Sequence, residues 1–117
     1  MSLIDKLRKS RQINVESKGK LFIVRRPTDL EMIDLQNSGG LTQGDIIKRF
    51  VCGWEGIKEL DIIPGGTGEM VKFDSELFGE WIQDQPEHWS PITESIVTSY
   101  KKHKQKLEDE LGESTGG

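Results

Sequence analysis

No alanine occurs among the 117 residues, so any core this chain makes is packed from large side chains, chiefly its twelve isoleucines and ten leucines. Leu, Ile, Val and Phe together account for 31 of the 117 residues, above the roughly 20% below which a chain stays disordered. A chain of this length buries about two thirds of its unfolded surface, enough for one modest core. One domain is the natural count, and the disordered, fibrous and multidomain classes are excluded.

The only cysteine, Cys52, rules out an intrachain disulfide and a zinc site made of four cysteines. No apolar run approaches the roughly 18 residues of a membrane span, and the opening Met1-Ser2-Leu3-Ile4-Asp5-Lys6 carries no secretory apolar region. A reduced, soluble, cytosolic protein is expected. Charge is unevenly placed. Residues 1–26 hold eight Lys/Arg against Asp5 and Glu16, whereas residues 27–100 hold four basic against fourteen acidic residues. A basic start on an acidic body can bind nucleic acid, or dock on an acidic surface of another protein or another copy, or remain a solvated arm.

Local signals predict an α+β fold, predominantly α-helical: a small single domain of about four or five helices with an N-terminal β-hairpin. Ser2 to Ser10 can form a short helix with Ser2 as cap and Leu3, Ile4 and Leu7 on one face. Ile13 and Val15 alternate, Ser17-Lys18-Gly19-Lys20 carries turn chemistry, and Leu21-Phe22-Ile23-Val24 is dense in strand formers, which reads as a hairpin. Thr28-Asp29-Leu30-Glu31 fits a capping box ahead of a helix to about Leu35, with Leu30, Ile33 and Met32 toward the core. Thr42 begins the next helix, whose Ile46, Ile47, Phe50 and Val51 form one stripe. Residues 53–72 read as an ordered, folded-back loop. Asp74 or Ser75 caps a helix carrying Leu77, Phe78, Trp81 and Ile82, and Ser90-Pro91 sets the start of a final helix. There Ile92, Ile96, Tyr100, His103, Leu107 and Leu111 recur at spacings of three and four. The expected organisation is a basic arm or short helix over 1–12, a globular domain with a projecting C-terminal helix over 13–111, and a disordered tail over 112–117.

Candidate chemistry is sparse. His88, His103 and Cys52 are remote from one another in sequence and form no HxxxH or CxxC pair, so no metal site is expected. They are read as a tip histidine, a helix-surface histidine and a core cysteine. Gly65-Gly66-Thr67-Gly68 lacks the Gly-Lys-Ser/Thr ending of a phosphate loop and the third glycine of a dinucleotide fingerprint, which leaves a turn. The acidic residues fall mainly at helix starts and exposed helix positions, where they stabilise the positive helix end. No catalytic residue and no cofactor is expected. The tryptophans stand out: Trp81 sits on a helical stripe, while Trp54 and Trp89 suit either the core or a protein interface.

Val51-Cys52-Gly53-Trp54-Glu55-Gly56-Ile57, a short acidic and glycine-rich loop, and Val71-Lys72-Phe73-Asp74 opening a helix together resemble the tail assembly chaperones of long-tailed, siphovirus-type bacteriophages or prophages. The likeness covers about residues 20–111, includes Arg25-Arg26-Pro27-Thr28 leading into the first body helix, and lies in the order and spacing of short motifs. It implies a non-enzymatic, helix-rich protein of the infected bacterial cytoplasm, absent from the finished virion. Such a protein binds the tape-measure protein, keeps its long helical chain soluble and recruits tail-tube protein. The expected partners are those two proteins, with self-association as a further possibility and with neither nucleic acid nor membrane. The expected binding surface comprises Trp54, Trp89, Tyr100, Leu107 and Leu111, the last three on the final helix. The alternative is a small nucleic-acid-binding regulator using the basic N-terminal segment; against it stands the acidic body, which repels phosphates.

Overall fold

The computed structural model describes residues 1–39 and 42–115, with side chains through Leu111. Among them are six α-helices and a three-stranded antiparallel sheet, an α+β domain with an N-terminal hairpin. Helix α1 (Leu3–Lys9) starts at Ser2, whose hydroxyl accepts from the Asp5 N–H. Leu3, Ile4 and Leu7 share a face as expected, yet all three stay exposed. Strands β1 (Gln12–Ser17) and β2 (Lys20–Arg25) pair in the predicted hairpin. Its two-residue turn places both Lys18 and Gly19 at positive φ, 50° and 80°, the backbone that matches the twist of the flanking strands. Alternation in β1 and β2 puts Val15, Phe22 and Val24 into the core.

Helix α2 (Asp29–Asn37) begins with the predicted capping box, Thr28 and Glu31 satisfying each other's backbone N–H groups. Its rotation differs from expectation. Leu30 and Ile33 point to solvent, Leu35 is buried and Met32 half-buried. The reason is Glu31, which two hydrogen bonds of 2.7 and 2.9 Å clamp to the Arg25 guanidinium, fixing which side of α2 meets β2. Helix α3 (Gln43–Phe50), capped by Thr42, buries Ile47 and Phe50. Val51 does not extend it. Instead Val51–Glu55 forms β3, antiparallel to β2, a strand that the helical stripe and Gly53 concealed.

The folded-back segment is ordered as expected and contains one helical turn, α4 (Glu59–Ile62). Backbone bonds from Val71 to Ile57 and from Glu59 to Glu69 close it into a clasp. Gly66 passes so close that a Cβ would lie 2.7 Å from the Glu59 carbonyl; only glycine allows that approach. Asp74 caps α5 (Ser75–Trp81). Two short 3₁₀ turns (Ile82–Asp84 and Pro86–His88) then lead into α6 (Trp89–Thr115), which starts one residue before Ser90. The helix runs to Thr115, within the segment expected as a tail, and residues 116–117 of that segment lie outside the described ones. The 27 residues of α6 span about 40 Å. From Lys101 to Leu111 none of its side chains is buried, and the molecule measures 63 × 37 × 24 Å.

Candidate protein-binding site

The tryptophans act as staples. Phe22, Trp54, Phe73, Phe78, Trp81 and the His88 ring lie within 5.1–6.2 Å of neighbouring ring centres, mostly edge-to-face or tilted, the geometry that ring quadrupoles favour. Each indole N–H donates to a backbone carbonyl: Trp54 to Val71 (2.8 Å), Trp81 to Asp61 (3.0 Å) and Trp89 to Ile82 (2.7 Å). Trp54 is only 6% exposed, which removes it from the expected binding surface. Trp89 is half-buried and packs against the same core.

His88 and Cys52 exchange their expected places. His88 is 1% exposed and shares a 2.7 Å hydrogen bond through Nδ1 with the Ser17 hydroxyl. Burial pushes its pKa below the ordinary histidine value, only partly opposed by Glu87. Cys52 is exposed on β3, because β3 is an outer strand of the sheet and Cys52 alternates with buried Val51 and Gly53. Desolvation raises its thiol pKa, so the thiolate that nucleophilic chemistry needs is disfavoured. Among the described residues no three His, Cys, Asp or Glu side chains gather as a metal set, and no helix is long and apolar enough to cross a membrane.

A groove of about 300 Å³ lies between three helices. Met32 and Leu35 of α2, Ile46 and Phe50 of α3, and Ile96, Val97 and Tyr100 of α6 line it, with Pro27 and Lys101 completing the wall. Among the described residues no acidic side chain lines it. That volume is at the small end of ligand cavities and suits the apolar side chains of one helix face. Exposed Leu30 and Ile33 belong to the same helix as Met32 and Leu35.

Polar struts hold the groove walls. The Tyr100 hydroxyl donates to Asp29 Oδ1 at 2.8 Å, tying α6 to the start of α2, and His103 and Lys104 approach the same carboxylate at 3.5 Å. The Tyr100 hydrogen bond, above all, lowers the Asp29 pKa; desolvation opposes it, and His103 and Lys104 add to the lowering. On the other side Arg25 holds the Glu31 carboxyl down to about 2, and Arg49 joins at 3.5 Å. The Arg25 guanidinium also lies over the Phe50 ring, 4.8 Å from its centre.

Of the five side chains expected on a binding surface, only Tyr100 lines the groove. Leu107 is half-buried and Leu111 is 65% exposed on the distal half of α6, and the structure does not gather them with Trp54 or Trp89. Met32, Ile46 and Val97 were missed as site residues. The available signal was an excess of apolar positions: Leu30, Met32, Ile33 and Leu35 cannot all enter one core from a two-turn helix. Compared with protein-family models, curated proteins and solved structures, the chain matches none.

Proposed function

We propose that this chain is a phage tail assembly chaperone. In this reading it is a non-enzymatic protein of the host bacterial cytoplasm that binds the tape-measure protein, keeps it soluble, recruits tail-tube subunits and is left out of the finished virion. The observation that carries the reading is the apolar groove of α2, α3 and α6, open to solvent and braced on both sides. A long helical chain awaiting its tube exposes an apolar stripe, and a groove of this kind covers such a stripe by helix-in-groove docking. The Gly53-Trp54-Glu55-Gly56 segment behind the family resemblance supplies the end of β3 and its turn, so in this reading it marks scaffold. The regulator reading is weakened because two cations of the basic segment are already engaged, Lys20 with Asp61 and Arg25 with Glu31.

Val97 is 39% exposed within the groove, so Val97→Glu places a charge there without entering the core. On co-expression with a long α-helical tape-measure protein, the wild-type chain keeps that protein in the soluble fraction. Val97→Glu, still folded by circular dichroism, binds it about tenfold or more weakly and leaves it insoluble. Equal rescue by Val97→Glu, or no rescue by the wild type, overturns the reading.

A further inference from the structure

We propose that two copies of this chain pair antiparallel through the distal half of α6, each seating its Asp109 and Glu110 in the basic cleft of the other. The cleft, about 440 Å³, lies between the residues after α1, the hairpin and α6. It brings together Arg11, Arg26, Lys102, His103 and Lys106, with no acidic side chain among the described residues lining it. The Arg11 Nε is buried without a hydrogen-bond partner. Among the described residues, Arg11, Lys102 and Lys106 take part in none of the ion pairs, and the Arg26 guanidinium donates only to the Pro27 carbonyl. Asp29, the acid beside His103, already serves Tyr100, His103 and Lys104. Burial, and then the proximity of Arg11, lower the Arg26 pKa, as expected of a cationic cluster lacking its counter-charge.

The complementary charge is on the same helix. Glu108, Asp109 and Glu110 are exposed and likewise absent from the ion pairs among the described residues. Asp109 and Glu110 follow Lys102 and His103 by seven residues each, so they continue one face of α6. The two blocks are separated by about 10 Å along the axis. A two-fold axis near Leu107 therefore sets each copy's acidic block against the other's basic block, an isologous contact in which the same patch serves both copies. A surface this short associates weakly and through charge, which salt screens. This pairing is independent of what occupies the groove of α2, α3 and α6.

Sedimentation of the full chain tests it. At about 100 μM and about 50 mM salt a dimer is expected, weakened about tenfold at about 500 mM salt. The double variants Lys102→Glu/Lys106→Glu and Asp109→Lys/Glu110→Lys should each be monomeric, because each sets like charges together, while retaining the wild-type circular dichroism. Mixed in equal amounts they should form a heterodimer of wild-type affinity, since both contacts are then restored. A wild type that is monomeric at low salt, a swapped variant that still dimerises, or a mixture that stays monomeric overturns the pairing. So does a wild type that binds inorganic phosphate in the cleft without dimerising.

Discussion

The two ends of this molecule treat their polar groups differently. Around Trp54, Trp81 and His88 every ring carries a partner, with three indole N–H groups on backbone carbonyls and the imidazole on Ser17. Along α6 beyond Tyr100, and on α1, apolar and charged side chains face solvent. A segment with five glycines and a proline between residues 53 and 68 is held by its backbone clasp and by indole N–H bonds, Trp81 donating to the Asp61 carbonyl within it and Trp54 tying it to Val71. The lesson is one of division: the aromatic end supplies rigidity, and the helical faces of α2, α3 and α6 remain available for binding.

Substitutions at the two ends should separate this division most sharply. Trp54→Ala removes an indole from the ring cluster and the bond to Val71, and should cost about 3–5 kcal/mol in urea unfolding. Val97→Ala, in the groove, should cost under about 1 kcal/mol. Comparable costs at the two positions would erase the distinction.

Acidity probes the same contrast with a smaller effect. His88 is held below its ordinary value of 6.5, so as pH falls past that value the unfolded chain takes up a proton that the folded chain refuses. Stability therefore drops from about pH 7 toward pH 5, and His88→Gln should flatten that slope. A second loss follows between pH 4.5 and about 2 as Glu31 is protonated and releases Arg25. Urea midpoints that stay flat from pH 7 to 5 would show that His88 is not kept neutral by burial.

Much of the architecture was legible because each element announces its start. Ser2, Thr28, Thr42 and Asp74 all cap the helices they precede, and Lys18-Gly19 turns the hairpin. Strand β3 was hidden because Val51 extends the apolar stripe of α3 and Gly53 weakens the strand signal. Its pairing with β2 is a tertiary event that local pattern does not encode. The groove was hidden for a related reason. Its walls come from residues 27–101, and which faces remain outside depends on the Arg25–Glu31 clamp that rotates α2. Tyr100 was readable as a surface aromatic, but its tie to Asp29, 71 residues away, was not.

The central claim is that partner binding takes place in the groove of α2, α3 and α6, and hydrogen exchange of the chain with and without a tape-measure protein tests it most directly. The account predicts that bound protein slows exchange in Asp29–Asn37, Gln43–Phe50 and the stretch of α6 around Val97 and Tyr100, while β1, β2 and α5 are unchanged. Slowed exchange confined to the sheet and α5, with the three groove helices exchanging as before, would contradict it.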